Sequence, residues 1–434
     1  MHKTIKQTWA FIFLVVLTIA YLTISFIDFK SSEKKVVNIY FADRMTDAHK
    51  LLIKKYNELH KGKIKVIPID FPNDDFTTNE RKEIVARSLR GRGDGIDLFA
   101  VDIIWVQRFA KWAEPLDKYF PQNEKNKLLP QAVASCYYDN HLVAVPLDLV
   151  QGILYYRSDI LSNLKDGPKI IKKVKDGMTW DEFVKLKSQI GLKNPFFIFP
   201  AVDYEGLVCF FIEQLLSQKP DYFSKEGFNF ETPQAEKSLQ LIVDLVNKYN
   251  ISPHSVTQYT EIQSYQHFIE DDGIFLRGWP TFDKDFKDAP YDLKKQNELK
   301  KAPLPYLKDC KPASILGGWD LMISKFSEKK PEVVDFVKYL LSEKSQETFF
   351  TKGGFYPVLK SVYEDSIFTK KYPELLQYKK LLKTAVSRPA NPDYTRYSKI
   401  MSFYFKEAIE NRISVKDALI KATKAIESDK LILQ

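Results

Sequence analysis

The stretch His141-Leu142-Val143-Ala144-Val145-Pro146-Leu147-Asp148-Leu149-Val150-Gln151-Gly152-Ile153-Leu154-Tyr155-Tyr156-Arg157 decides how the chain is read. Residues 142–145 and 152–156 are β-prone apolar runs on either side of Pro146, Asp148 and Gln151. Proline removes an amide donor and glycine opens dihedrals closed to other residues, so the chain should bend or change sheets here. One carboxylate, Asp148, stands in the middle. Two readings compete: an edge strand with a solvated aspartate, or a strand crossing between two lobes with Asp148 facing the cleft between them. The flanking sequence selects the second.

Upstream, residues 36–41 are β-branched and aromatic, and Thr46 or Asp47 can cap a helix with Ala48, Leu52, Tyr56 and Leu59 on one face. A strand at 64–69, a helix around 80–89 and a strand at 96–101 continue the alternation. Alternating β and α with short links implies a parallel sheet covered on both faces. Ligands bind off the carboxyl ends of such strands, which is where Asp43 and Asp102 fall, with Trp105 in the first turn of the next helix (103–112). The turn Gly91-Arg92-Gly93-Asp94-Gly95 precedes a strand and so is no dinucleotide loop.

Downstream, Thr179 and Glu182 form a capping box, residues 196–200 a short strand, and 206–217 a very apolar helix. Pro233 behind Thr232 starts an amphipathic helix over 233–249. Residues 273–279 read as a strand ending in Trp279, 301–307 as a second crossing, and 317–323 as a strand followed by a helix over 331–341. The expected architecture is α/β with two lobes: residues 35–148 plus about 300–340 in the first, about 152–298 plus about 345–434 in the second.

Residues 9–27 are almost wholly apolar, preceded by Lys3 and Lys6. As a helix they would span about 28 Å, close to a bilayer's hydrocarbon thickness. Residues 1–30 are therefore expected to be an uncleaved anchor that tethers an exported protein, or a cleaved signal peptide. No cysteine follows the run, which argues against a lipid-modified terminus. Cys136, Cys209 and Cys310 have no metal spacing and read as buried thiols, with one disulfide left open.

The net charge of +9 is spread over lysine-rich faces such as Lys329-Lys330, Lys370-Lys371 and Lys379-Lys380, without the clustered aromatics of a nucleic-acid interface. The chain has no H-E-x-x-H, G-x-S-x-G or Walker loop, and its six histidines are scattered. Neither a metal, a cofactor nor catalysis is expected. What stands out is tryptophan beside a polar group: Trp105 near Asp102, Trp279 near Arg277, Trp319 beside Asp320. A sugar presents an apolar CH face and a rim of hydroxyls, which aromatic plates and charged side chains can meet.

The segments I-D-L-F-A-V-D-I-I-W-V (96–106), L-V-A-V-P-L-D-L-V-Q-G-I-L-Y-Y-R (142–157), M-T-W-D-E-F (178–183), G-I-F-L-R-G-W (273–279), G-G-W-D-L-M-I-S-K (317–325) and P-E-V-V-D-F-V-K-Y-L (331–340) resemble, in that order, an extracellular solute-binding protein of the maltose-type class, the receptor component of ABC importers. The resemblance implies a two-lobe periplasmic-binding-protein fold of type II-like organisation, whose cleft closes on a sugar. By position it implies ligand contacts from Asp43, Asp102, Asp148, Trp279, Trp319 and Arg388. It also implies a carbohydrate ligand, an ABC permease partner, a monomer and no turnover. The chain differs from the usual pattern in lacking a lipobox cysteine, in Tyr156-Arg157, and in the apolar run 194–216. A membrane-tethered sensor and an exported glycoside hydrolase are the competing functions.

Overall fold

The computed structural model describes residues 9, 12–19, 36–72, 78–92, 95–286 and 293–428. Of the expected apolar span at 9–27, Trp9 and residues 12–19 are helical and the rest lies outside the described residues. No helix among the described residues is long and apolar enough to cross a membrane.

In chain order the main elements are β1 (Val37–Asp43), α1 (Asp47–Leu59), β2 (Ile64–Asp70), α2 (Thr78–Arg90) and β3 (Leu98–Asp102), then β4 (Val145–Gln151) and β5 (Ile153–Arg157). There follow α3 (Trp180–Ile190), β6 (Phe197–Ile198), α4 (Glu205–Gln218), α5 (Pro233–Asn247), α6 (Glu261–Glu270), β7 (Phe275–Gly278) and β8 (Leu299–Ala302). The chain closes with β9 (Ser314–Ile323), α7 (Lys330–Leu340), α8 (Ser366–Lys371), α9 (Glu374–Leu381), β10 (Ala385–Val386), α10 (Tyr394–Ile409) and α11 (Val415–Glu427).

The first lobe holds a six-stranded sheet in the order β10-β9-β3-β1-β2, with β4 also pairing with β9. β1 runs parallel to β2 and β3, as the βα alternation requires, while β9 is antiparallel to both β3 and β4. The second lobe holds a four-stranded sheet, β8-β5-β7-β6. The opening stretch changes sheets at Gly152, six residues after the proline expected to bend it: β4 lies in the first sheet and β5 in the second. β8 pairs with β5, and Tyr306 still bridges to Thr179, so the return to the first sheet comes with Ser314.

Local chemistry explains the elements that frame the cleft. Thr179 accepts from the Glu182 amide and Glu182 returns the bond, so the capping box sets the start of α3. Thr232 caps α5 behind Pro233. At α1 the expected cap differs: the Thr46 hydroxyl pairs with His49 Nδ1 and makes no side-chain cap bond to the helix. The expected 103–112 helix is a succession of short turns, with the Asp102 carboxylate accepting from the Ile104 amide. The apolar run 194–216 becomes core: Trp180, Phe183, Phe197, Phe199 and Phe210 pack ring against ring. Arg157, unusual for its position, is held by Asp159 and Asp272. All three cysteines are free thiols; Cys136 and Cys209 are buried and Cys310 half-buried.

Candidate functional site

Between the lobes lies a cleft of about 690 Å³, within the range of a small-molecule site. The first lobe contributes Asp102 and Trp105 after β3, Gly317 to Trp319 from β9, and Arg44, Arg81 and Lys82. The second contributes Glu205 at the start of α4, Glu261 at the start of α6, Trp279 after β7, and Tyr394 and Ser398 from α10.

The three tryptophans expected as plates all line this cleft, and each carries a cation on one face. Arg81 Cζ lies 4.8 Å from the Trp319 ring centre, Lys82 Nζ 5.3 Å from Trp105, and Arg277 Cζ 4.7 Å from Trp279. Trp105 and Trp319 meet edge to face, 6.2 Å between centres at 83°. Cation–π and edge-to-face contacts each contribute about 0.5–1.5 kcal/mol, enough to fix ring orientation before any ligand arrives.

Arg388 spans the cleft. Its Nη2 donates to Asp102 Oδ1 at 2.7 Å in the first lobe, and its Nη1 to Glu205 Oε1 at 3.0 Å in the second. Burial opposes the charge, but the two carboxylates outweigh it and hold the guanidinium well above its ordinary value. Glu205 also accepts from the Tyr394 hydroxyl at 2.8 Å and from Ser398. A second bridge, Arg44 Nη1 to Asp285 Oδ1 at 3.0 Å, crosses the same opening.

Beneath the crossing strands sits a polar knot. Arg277 and Glu213 are both fully buried and paired at 2.8 Å. Glu213 Oε1 also accepts from the Ile315 amide at 3.2 Å, and the Ser314 hydroxyl donates to the Gly152 carbonyl. A Cβ at Gly152 would run into Glu213 Oε1, so only glycine lets the crossing strand pass over the ion pair. Gly318, at φ +144°, is needed for a like reason: a Cβ there would meet the Asp148 carbonyl.

Of the residues expected to touch ligand, Asp102, Trp105, Trp279, Trp319 and Arg388 line the cleft, while Asp43, Asp148, Arg277 and Asp320 lie outside its lining. Asp43 is turned to the Arg44 amide and His49. Asp148, expected to face the cleft, is 1% exposed in the first sheet opposite Trp319. Burial first, then Asp43, pushes its carboxyl well above the usual range. Arg277 belongs to the knot behind Trp279. Asp320 is wholly buried and accepts from the Ser135 hydroxyl at 2.8 Å; burial lifts its carboxyl to about 7.

Two cleft acids, Glu205 and Glu261, were not legible as site residues. Glu205 is an acid opening an otherwise apolar helix, a faint signal; Glu261 sits inside the Thr260/Gln263 capping box, where an acid has an ordinary reason to be. Burial lifts the Glu261 carboxyl to about 7, against its own amide, Arg277 and a hydrogen bond from the Trp279 side chain.

Comparison with known proteins accords with this architecture. Residues 41–347 match the family model for bacterial extracellular solute-binding proteins. A probable ABC transporter-binding protein of Deinococcus radiodurans is 27% identical over 362 residues, covering 81% of this chain and 83% of its own length. T. maritima MalE3, solved with maltose bound, is 26% identical and superposes with a TM-score of 0.78 over 91% of this chain and 100% of its own. A solute-binding protein of Thermotoga lettingae bound with α-D-tagatose shares the fold at 22% identity, with a TM-score of 0.75 over 91% and 99% of the two chains. The family is one of solute-binding proteins and not of enzymes. The chain belongs to the bacterial extracellular solute-binding protein family and has the two-lobe fold of its maltose-type, sugar-binding members.

Proposed function

We propose that the protein captures a saccharide in the interlobe cleft and delivers it to an ABC permease, acting as a monomer and without turnover. The observation that carries this reading is that tryptophans from both lobes line one cleft, Trp105 and Trp319 from the first and Trp279 from the second, together with the Asp102–Arg388–Glu205 bridge. Flat rings suit the CH face of a pyranose, and paired carboxylates and guanidinium suit its hydroxyl rim. The maltose held by the T. maritima relative supports a sugar of this class. Asp102, Trp105, Trp279, Trp319 and Arg388 are the proposed ligand contacts, with Glu205 and Glu261 added from the geometry.

Closure is a hinge motion over the two connections at Gly152 and between Ala302 and Ser314, in which contacts on both lobes favour the closed state. Residues 9–27 are proposed to hold the protein at the outer face of the membrane, next to its permease. Titration calorimetry against mono- and short oligosaccharides tests the reading. Binding is expected for at least one sugar and reducing-sugar release for none; a panel with no binder contradicts the assignment.

A further inference from the structure

Two neighbouring helices far from the cleft lining repeat one pattern. In α8, Ile367 is followed at i+3 and i+4 by Lys370 and Lys371; in α9, Leu376 is followed in the same way by Lys379 and Lys380, with Lys383 one turn on. That spacing puts each apolar residue and its lysine pair on one helix face. The face is open: Ile367 is 81% exposed and Leu376 44%, and all five lysines are exposed, as is Lys352 nearby. The support beneath is firm, since Phe350 packs against Phe368, Tyr372 and Tyr378.

The charge here is uncompensated. Residues 352–383 hold seven lysines against three carboxylates, and Asp365 is already spent on the amides of Ile367 and Phe368 as the α8 cap. Some surface lysines elsewhere sit against acids one turn away, as in Lys118–Glu114, Lys127–Glu124, Lys172–Asp176 and Lys344–Glu347, while others, such as Lys54, Lys61 and Lys237, are exposed and make no ion pair among the described residues. None of the six exposed lysines at 352–383 is within ion-pair distance of a carboxylate among the described residues.

We propose that the α8–α9 face docks on an anionic lipid surface, the lysines meeting phosphate headgroups while Ile367 and Leu376 enter the interface between them. Basic charge together with a small apolar insertion is the combination that gives reversible surface binding. Helix α9 also reaches the strand residue beside each connection between the lobes, since Gln151 donates to the Leu381 carbonyl at 2.9 Å and Gln377 to the Lys301 carbonyl at 3.0 Å. The inference is independent of what the cleft binds.

The test is hydrogen exchange of the full chain reconstituted in phosphatidylcholine vesicles with or without phosphatidylglycerol. Peptides covering residues 360–384 should exchange more slowly, by about tenfold or more, only when the anionic lipid is present. High salt and Lys370→Glu/Lys371→Glu/Lys379→Glu/Lys380→Glu should abolish the slowing. These side chains are solvent-exposed, so an unchanged melting temperature certifies the fold; Ile367→Ser with the lysines intact should give a partial loss. Equal exchange in the two vesicle types, or slowing that survives the four substitutions, overturns the proposal and leaves the face to solvent or a protein partner.

Discussion

Arg388 Nη2 lies 2.7 Å from Asp102 Oδ1, and the other arm of the same guanidinium reaches Glu205 across the cleft. A planar fork can serve two carboxylates at once in fixed geometry; an ammonium on a flexible stem cannot. Arg388→Lys is therefore expected to preserve folding while weakening saccharide affinity at least about tenfold, roughly the 1.4 kcal/mol of one charge-assisted hydrogen bond. Calorimetry reads the change, and unaltered affinity would remove Arg388 from the working part of the cleft.

Buried acids set the pH response. Asp148 and Asp320 both have carboxyls raised by burial, Asp320 to about 7. A raised pKa means the folded state holds protons that the unfolded chain releases near pH 4. Their contribution is complete below that pH and is lost as pH climbs through the folded-state values. Stability should thus fall from about pH 4 towards pH 8, against the usual trend for paired carboxylates. Asp148→Asn supplies a neutral isostere and should raise the melting temperature at pH 8 by roughly 2–4 °C, with little effect at pH 4. A variant that melts lower at pH 8 than the wild type would show that the ionised form is the native one.

The Arg277–Glu213 pair is expected to be costly to break and cheap to replace. Arg277→Ala leaves a buried carboxylate unpaired and should destabilise by about 3–5 kcal/mol, whereas Arg277→Met with Glu213→Leu should come close to wild-type stability. Chemical denaturation of the three proteins separates these outcomes, and a double variant as unstable as the single one would refute the pairing argument.

Gly152→Ala places a methyl group against Glu213 Oε1. Overpacking of this kind costs about 1–3 kcal/mol. Because the site lies at the sheet crossing, the change should also alter lobe closure, read as a changed ligand-induced compaction in small-angle scattering. Identical compaction would place the hinge elsewhere.

The fold was largely legible because its signals are local. The βα alternation of residues 36–101, the Thr179/Glu182 box and the Pro233 start depend on neighbours in sequence, and the sheet change inside 141–157 was visible in its glycine, whereas Pro146, also expected to mark it, lies inside β4. The side of the strand on which Asp148 falls was not. β4 is buried along nearly its whole length, so no alternation marks its faces. Its register against β9 shifts between Trp319 and Asp320, where the partners jump from Asp148 to Pro146. One residue of slip exchanges the faces of a strand, and nothing in the sequence announces such a bulge. The three tryptophans do line the cleft, Trp105 and Trp279 just past strand ends as expected, but Trp319 lies in the middle of β9 and not at its end. Arg277 was misplaced because its partner Glu213 is 64 residues away, and only the folded chain brings them together.

The central claim is that Trp279 and the Trp105–Trp319 pair close on a sugar from opposite lobes. Calorimetric titration of maltose and its short homologues into the wild type and into Trp279→Ala tests it most directly. The account predicts saturable binding by the wild type to at least one of these sugars, and a loss of about tenfold or more in the variant, the worth of roughly 1.4 kcal/mol of ring contact. Equal affinity in the two proteins would contradict it.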